Sequence, residues 1–431
     1  MRRTLLLIPH EIAGIPVFGI GWALLLFVIA ATVRLVVAKR NGQTAGDVVT
    51  SEGVMWAIVA AAIVFLLPAV ELKNLVGEPV GMAIRGYGMM LLAGVTSAVG
   101  LAAIRAKNRG IDPDVIFSMA PWVFIGGIAG ARVFYVVQYW DKFAANSFGE
   151  TLRNVLAFTE GGLVVYGSFI GGFIAAVFFI LRHKMPLFKL GDAIVPCLFI
   201  GVFFGRIGCL MNGCCYGGRC DVGWTAIQFP AGSAVYGEQL SDGELLGMRV
   251  NPVSKRIESV VDDSLAGAAG IQKGNRFDGI TTLQIDPTEA ALDIPREEVL
   301  PGVAVIVDGK EFQWQANELP SHALPVQAAQ LISSASSLTL CILLCALSLV
   351  FRRSGAIMML GFAAYAILRF VLEMVRVDEA GQFGTVLTIS QWVSVIVLLL
   401  SIGGMIWVYK LAKENDDPAI VADTKTGDAA A

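Results

Sequence analysis

Long apolar runs recur along this chain, and they limit what it can fold into more than any other feature does. A helix that crosses the hydrocarbon core of a bilayer needs about 20 mostly apolar residues. We find about nine such runs, near residues 17–38, 53–72, 86–105, 115–139, 162–181, 190–211, 327–351, 355–375 and 388–409. Only 16% of the 431 residues are charged, whereas soluble domains carry about 25%. The sequence therefore predicts an all-α polytopic membrane protein with about nine transmembrane helices.

Basic residues collect at the ends of alternate runs. The clusters are Lys39–Arg40, Arg105–Arg109, Arg182–Lys184, Arg352–Arg353 and Lys410–Lys413. Because lysine and arginine are retained on the cytoplasmic side of a membrane, we expect a multi-pass membrane protein with its C-terminus in the cytoplasm. The first run is longer than the apolar core of a signal peptide and is followed by basic residues, so we do not expect it to be cleaved.

One long stretch, residues 221–322, is too polar to enter the membrane. Within it, residues 264–280 resemble the most recognisable part of bacterial PDZ domains, a small-residue helix start that leads through Gly-x-x-x-Gly-Asp into a strand. Asn275 stands at the position of the aspartate. We predict a small β-rich, PDZ-like extramembrane insertion, with the PDZ-like segment at about 245–317. A chance copy of the motif in another β-rich fold is the alternative.

The apolar runs and the insertion divide the chain into consecutive parts. The predicted order is an N-terminal two-helix membrane extension (1–75), the first part of a membrane core (76–220), the extracytoplasmic insertion (221–322), the second part of the core (323–412) and a disordered cytoplasmic tail (413–431).

Among the ionisable residues inside the predicted spans, four stand out by their positions: Arg132, Arg206, Arg369 and Glu373. Each costs about 2.5–3.5 kcal/mol to insert, so each is a candidate for a functional role. Arg206 is followed by a glycine-rich exit from the membrane, and a guanidinium above such a turn can bind phosphate oxygens in bidentate fashion.

A polar stripe follows one face of the run at 355–375. Tyr365, Arg369, Glu373 and Arg376 recur at helical spacing, so we expect them to face the interior of the helix bundle or a water-filled cavity. An interhelical ion pair is the purely structural alternative. Two arginines near the outer leaflet suit an anionic phospholipid.

The run from Gly205 to Gly217 resembles the glycine–arginine–asparagine–glycine motif of the prolipoprotein diacylglyceryl transferases. The residues in register are Gly205, Arg206, Gly208, Asn212, Gly213, Tyr216 and Gly217. Further matches follow in the family's order, at Arg85–Gly88, Gly130–Tyr135, Glu160–Gly162, Gly167, Gly171, Asp192, Pro196, Pro325–Gln327, the stripe on 365–376, and Ser390–Gln391. The resemblance covers about residues 80–230 and 325–410.

The resemblance implies an enzyme that transfers the diacylglyceryl group of phosphatidylglycerol to the lipobox cysteine of a prolipoprotein signal peptide, yielding a thioether and glycerol phosphate. The expected partners are thus phosphatidylglycerol, the signal peptide and the lipid bilayer, with the active site toward the outer leaflet. Arg206 and Arg369 would hold the phosphate. The residues expected to position the headgroup or support the site are Asn212, Gly213, Tyr87, Tyr365, Arg132, Glu373, Arg376 and Gln327.

The family usually has a histidine followed by two glycines where this chain has Tyr166, Gly167 and Ser168. That histidine is a candidate base for the thiol, whereas a tyrosine has an ordinary pKa near 10. Three routes stay open: proton loss to the leaving phosphate or water, a positioned Tyr166 tyrosinate, or lower activity. His322 is on the outer side of the predicted topology, and we interpret it as a surface histidine.

The cysteines at 209, 214, 215 and 220 have the spacing C-x4-C-C-x4-C. Zinc sites typically use C-x2-C pairs, so we predict no metal site and no other cofactor. A disulfide that involves Cys220 and unpaired thiols both stay possible.

Other function classes are weighed by what they would require. A catalytically silent relative that binds signal peptides or lipid stays open because of Tyr166. A polytopic transporter would need polar residues along a path through both leaflets, and a metalloprotease would need His-Glu-x-x-His within the spans. The formal net charge of -3 gives no reason to expect nucleic acid as a partner.

Overall fold

The computed structural model describes residues 4–410, apart from 41, 43, 145–146, 157–161, 163, 221–222, 224, 252, 284–294, 297–298, 352, 376–384 and 386; for 45, 47, 51, 148, 156, 165, 166 and 375 it describes the backbone alone. The helices are α1 Trp22–Arg40, α2 Ala45–Ala61, α3 Leu67–Val70, α4 Gly86–Asn108, α5 Asp114–Gln138, α6 Trp140–Phe143, α7 Phe148–Leu156, α8 Val165–Arg182, α9 Leu187–Asn212, α10 Ala234–Ser241, α11 Leu265–Ala268, α12 Ala329–Leu347, α13 Ala356–Val375 and α14 Ile389–Lys410. A π-helical turn, Ala62–Leu66, joins α2 to α3.

The strands are short and pair antiparallel. They are β1 Thr4–Pro9, β2 Glu11–Ile12, β3 Ile15–Pro16, β4 Leu72–Lys73, β5 Pro79–Arg85, β6 Ala226–Ile227, β7 Met248–Val250, β8 Ile257–Val260, β9 Phe277–Thr282, β10 Val303–Val307, β11 Lys310–Trp314 and β12 Val326–Gln327. They form the sheets β1-β5-β4, β11-β10-β9, β12-β6, β2-β3 and β7-β8.

The prediction of a mostly helical, multi-pass membrane protein is confirmed. Eight helices of the described chain are long and apolar enough to cross a membrane, with α2 to α3 counted as one span. The apolar α8 lies where a further span was predicted. The total of about nine stays a prediction.

By its contacts the chain divides into two compact units, Met1–Met89 with Gly208–Ala328, and Met90–Ile207 with Ala329–Ala431. In the first unit, β1 pairs with β5 along Thr4–Pro9 and Gly81–Arg85. The predicted N-terminal extension thus begins with a strand whose partner lies beyond α1–α3. Helices α1, α2 and α3 therefore lie, in chain order, between two paired strands of one sheet.

The β-rich segment of the first unit has an apolar core of its own. Its buried residues are Leu246, Met248, Ile257, Ala266, Ile271, Val303, Val305, Val307 and Trp314. The turn before β9 is held by Asn275, whose Nδ2 donates to Asp308 Oδ2 at 2.6 Å and whose Oδ1 accepts from the Gln272 amide at 2.7 Å. The small sheets predicted for this segment are confirmed, whereas the PDZ-like fold stays a prediction.

In the second unit, α5 and α8 meet backbone to backbone. A Cβ added at Gly130 would lie 2.3 Å from the Gly167 carbonyl oxygen, and one added at Gly171 would lie 2.2 Å from the Gly126 carbonyl oxygen. Membrane helices have no hydrophobic drive to associate, so close approach through small residues supplies the packing energy. These four glycines therefore fix how α8 lies on α5.

A fully buried carboxylate joins three helices of the same unit. Asp192, in the second turn of α9, accepts from the amides of Gly355 at 2.8 Å and Met358 at 2.7 Å, which open α13. Its Oδ2 also accepts from Arg109 Nη1, just after α4, at 3.1 Å. The first amides of a helix have no partner within that helix, so Asp192 caps α13 from a neighbouring helix. Arg105 adds donors to the carbonyl oxygens of Asp192 and Ala193.

We predict that Asp192→Ala lowers the free energy of unfolding by about 3–5 kcal/mol, because it leaves Arg109 and two helix-opening amides without their acceptor. Chemical denaturation of the detergent-solubilised protein measures this. Asp114→Ala, an exposed aspartate at the start of α5, is the control and should cost under about 1 kcal/mol. Equal destabilisation by the two variants would contradict the role given to Asp192.

Candidate functional site

Arg132 is buried in α5, and its described hydrogen bonds go to backbone carbonyls. It donates to the carbonyl oxygens of Asn154 and Val155, each at 2.9 Å, and of Gly162 at 3.2 Å. Its guanidinium also lies 5.1 Å from the ring centroid of Phe143. The last carbonyls of α7 carry a partial negative charge, so Arg132 both caps α7 and holds the chain that leads into α8.

The start of α8 is fixed next to Arg132. Gly162 has a φ of +79°, and a Cβ there would lie 2.3 Å from the Tyr135 ring. Both the backbone conformation and the lack of space therefore require glycine at this position. The Val164 amide then donates to the Ala131 carbonyl oxygen at 3.2 Å. Tyr166 follows in the first turn of α8, and its side chain lies outside the described residues.

The polar stripe on α13 forms a buried network with α14. Arg369 Nη1 donates to Glu373 Oε2, and Nη2 donates to Ser390 Oγ at 2.9 Å. Glu373 is buried, and its Oε1 accepts from Thr388 Oγ1 at 3.2 Å. The structure thus brings the predicted residues Arg369 and Glu373 together as an ion pair. Arg376, also predicted here, lies outside the described residues.

Thr388 is a member of this network that our sequence analysis missed. Its amide donates to Gln391 Oε1 at 3.1 Å, and its Oγ1 accepts from the Gln391 amide at 3.3 Å. This reciprocal pair is a capping box at the start of α14. The spacing Thr-x-x-Gln before an apolar run was the signal that could have identified it.

Arg206 differs from the other arginines of the spans. It is half-buried in α9, and its guanidinium makes no hydrogen bond or ion pair with any other described residue. Arg132 and Arg369, by contrast, are both held by protein acceptors. Arg206 therefore brings a net positive charge into an apolar helix.

Arg206 and Arg369 lie at matching positions on helices that are joined at one end. Arg206 stands 14 residues after Asp192, and Arg369 stands 14 residues after Gly355, the residue that Asp192 caps. At 1.5 Å per residue, each arginine lies about 21 Å along its helix from the joint. Between the joint and the arginines, the rings of Phe199 on α9 and Tyr365 on α13 lie 5.9 Å apart. The half-buried Tyr365 thus packs between the joint and the arginines.

The remaining predicted residues lie in the first unit. Asn212 ends α9, and Gly213 follows with a φ of +71°, where a Cβ would lie 2.8 Å from Ser233 Cβ. Tyr87 is exposed in the first turn of α4, and a Cβ on its neighbour Gly86 would lie 2.9 Å from Met211 Cε. The start of α4 and the end of α9 are therefore in close contact.

Gln327 is held through its backbone. Its carbonyl oxygen accepts from the Gly217 amide at 2.8 Å, and its amide donates to the Gly218 carbonyl oxygen at 3.0 Å. As part of β12, it pairs with Ala226 of β6. Gln327 thus anchors the loop that follows the glycine-rich motif.

Each of the three histidines has a polar atom within hydrogen-bond distance of its Nδ1 atom. His10 Nδ1 lies 2.6 Å from Oε2 of the buried Glu71, His183 Nδ1 lies 2.9 Å from the Phe179 carbonyl oxygen, and His322 Nδ1 lies 3.0 Å from Ser321 Oγ. The described contacts therefore give no histidine beside Arg206 or Arg369.

Three thiols converge where α9 ends, which the spacing of the cysteines did not predict. The Sγ atoms of Cys209, Cys214 and Cys215 all lie within 4.8 Å of one another. Within the described chain, this is the one group of three or more histidine, cysteine or acidic side chains with metal-binding proximity.

The chain is similar to known proteins along most of its length. The family model described as "Prolipoprotein diacylglyceryl transferase" matches residues 77–407. A protein of Rhodopirellula baltica named phosphatidylglycerol–prolipoprotein diacylglyceryl transferase is 46% identical over 437 residues, which span 93% of this chain and 88% of that protein.

More distant relatives align over a shorter part. The proteins of the same name from Synechococcus elongatus and Clostridium tetani are 33% and 36% identical, over 33% and 34% of this chain. These alignments cover 48% and 56% of the relatives' own lengths.

We predict that Glu373→Gln lowers the free energy of unfolding by about 2 kcal/mol, because Arg369 loses its charged acceptor in a buried setting. Thermal and chemical unfolding in detergent measure the change. Glu150→Gln, at an exposed position of α7, is the matched control and should be neutral. Unchanged stability of Glu373→Gln would show that the charge of Glu373 does not stabilise the network that links α13 to Thr388 and Ser390.

Proposed function

The chain belongs to the prolipoprotein diacylglyceryl transferase family, and on that premise we propose that it transfers the diacylglyceryl group of phosphatidylglycerol to the lipobox cysteine of a prolipoprotein signal peptide. The products are a thioether on the acceptor and glycerol phosphate. The residues that carry the reaction come from α9 and α13, together with the turn that follows α9.

The guanidinium of Arg206, which has no partner among the described residues, is the observation that carries this proposal. A cation inside a membrane helix is costly to insert, and Arg206 has no described acidic residue to offset that cost. An anionic ligand would offset it. The planar fork of a guanidinium matches two oxygens of a phosphate, so the phosphodiester of phosphatidylglycerol suits Arg206 in both charge and shape.

Arg369 is the second group proposed to bind the phosphate. Its described bonds to Glu373 and Ser390 fix the orientation of the guanidinium, and a guanidinium has five N–H donors, so others stay available. Its equal distance from the Asp192 joint supports a common depth with Arg206. Since Glu373 neutralises Arg369, the net charge for the phosphate comes from Arg206.

The chemistry is displacement at the glyceryl carbon that carries the phosphate. The thiolate sulfur attacks this carbon, the carbon–oxygen bond breaks, and its electron pair leaves with the phosphate oxygen. Charge grows on that oxygen in the transition state, where preorganised donors have their largest effect. Asn212, Gly213, Tyr87 and Tyr365 are proposed to orient the headgroup so that sulfur and carbon are aligned.

Four further residues are proposed to support the site. Arg132 is proposed to hold the entry into α8, where Tyr166 stands, and Glu373 to orient Arg369. Gln327 is proposed to hold the loop after the glycine-rich motif, and Arg376 to extend the polar stripe.

The location of the reaction follows from the distribution of basic residues. We propose that the protein lies in the bacterial inner membrane with its C-terminus in the cytoplasm and its active site toward the outer leaflet. The β-rich insertion, proposed to have a PDZ-like fold, would then lie outside the cytoplasm, on the side from which exported prolipoproteins approach.

We predict that Arg206→Lys lowers diacylglyceryl transfer by about 100-fold or more, because the ammonium keeps the charge but loses the fork that stabilises the leaving phosphate. Radiolabelled phosphatidylglycerol with a lipobox peptide measures thioether formation. Arg182→Lys, at the exposed end of α8, should retain the wild-type rate. Near-normal transfer by Arg206→Lys would remove Arg206 from the phosphate site.

We predict that Tyr166→Phe lowers kcat/KM by less than about tenfold, since a general base contributes about 100-fold or more. The pH profile of transfer should show no titration near about 6.5, the ordinary histidine pKa. Tyr166→His is the matched variant and should not raise the rate. A loss of about 100-fold in Tyr166→Phe, or a gain in Tyr166→His, would show that the side chain at this position serves as the base.

A further inference from the structure

We propose that Cys209, Cys214 and Cys215 form a trithiolate Zn²⁺ site whose fourth coordination position receives the acceptor thiol. The metal-binding part of this inference stands on the geometry of the three thiols alone. The part that concerns the acceptor rests on the function proposed above.

The distances between the sulfurs fit one tetrahedral ion. With Zn–S bonds of about 2.3 Å, the sulfurs of a tetrahedral site lie about 3.8 Å apart. The three Sγ atoms already lie within 4.8 Å of one another, so small side-chain rotations suffice. All three side chains are half-buried, so the cluster is partly accessible to an ion.

The end of α9 explains why these cysteines meet although their spacing is unlike that of a zinc knuckle. Gly213 turns the chain with a φ of +71°, and the Cys214 amide donates back to the Cys209 carbonyl oxygen at 3.1 Å. Cys215 follows with a φ of +59°, a conformation that is uncommon for a non-glycine residue. The two left-handed residues after the helix therefore bring the thiols together, as the turn of a C-x2-C pair does in other zinc sites.

One side-chain donor lies beside the sulfur of Cys214. Asn212 Nδ2 donates to Cys214 Sγ at 3.5 Å. Donors of this kind support metal-bound ligands in other proteins, where they orient the ligand and tune its charge. Because Asn212 is also assigned to the headgroup site, the thiol cluster borders the proposed substrate.

The donor set selects the metal. Three sulfurs and no described carboxylate or imidazole suit a soft or borderline d10 ion, and Zn²⁺ adds no redox chemistry. A disulfide between two of the thiols would leave the third unpaired. Zinc sites with three protein ligands and an open position are typically catalytic rather than structural.

The open position would solve the problem of the absent family histidine. A thiol that coordinates Zn²⁺ loses its proton outright, here to solvent, so the acceptor needs no base at Tyr166. The bound sulfur forms the bond to the glyceryl carbon while the carbon–oxygen bond to phosphate breaks and the electron pair leaves with glycerol phosphate. The thioether product is a weaker ligand than a thiolate and can dissociate.

The site is tested on the full-length protein in detergent, reduced and depleted of metal, by titration with Co²⁺. We expect sulfur-to-cobalt charge-transfer absorption that saturates at about one Co²⁺ per chain and is abolished by Zn²⁺. Cys209→Ser and Cys214→Ser should weaken Co²⁺ binding by about tenfold or more. Cys220→Ser and Cys341→Ser are the matched controls and should bind normally.

Several results would overturn the metal site. They are the absence of charge-transfer absorption, equal binding by Cys214→Ser and wild type, loss of binding in Cys220→Ser, and a disulfide between two of the three cysteines in protein purified without reductant. None of these readouts depends on transferase activity.

The acceptor role is tested with lipobox peptides added to the Co²⁺ protein. A cysteine peptide should change the cobalt spectrum and a serine peptide should not, and removal of metal should abolish transfer until Zn²⁺ is restored. Unchanged transfer by metal-free protein would overturn the acceptor role and leave the proposed function standing. A metal-loaded protein that binds the peptide but transfers nothing would instead refute the proposed function.

Discussion

The carboxylate of Asp192 is the interaction on which the second unit depends most. It is fully buried, and it satisfies two amides of α13 and the guanidinium of Arg109 at once. A fully buried acceptor cannot be replaced by solvent without cost, so α4, α9 and α13 are fixed relative to one another at this end. The two arginines proposed to bind phosphate lie on two of these helices, at the same distance from the joint. A contact remote from the proposed phosphate site thus sets the depth of both arginines.

The distribution of charge follows the same physical rule throughout this unit. Arg132 and Arg369 have protein acceptors, and Asp192 and Glu373 have protein donors. Against that background, a cation without a described partner is unusual. The charge of Arg206 therefore supports the proposal of an anionic ligand, independently of any relative of the chain.

The extent to which the sequence predicted this structure depends on the range of each interaction. The spans follow from local hydropathy, and the common helix face of Arg369 and Glu373 follows from helical spacing, so both were predicted. The pairing of β1 with β5 joins residues about 75 positions apart in the chain, across two helices, and no local pattern indicates it. The capping of α13 by Asp192 is equally remote. The convergence of Cys209 with Cys214 and Cys215 depends on left-handed residues that a cysteine count does not reveal.

The glycine contact between α5 and α8 has a consequence for how relatives of this chain can diverge. Two helices whose backbones touch at Gly126, Gly130, Gly167 and Gly171 cannot slide or rotate by a residue without driving a side chain into a carbonyl group. The backbone of residue 166, in the first turn of α8, is therefore held at one location relative to α5 whichever side chain it carries. A chimaera that takes α5 and α8 from different parents should keep this location only if both parents have glycine at these contacts.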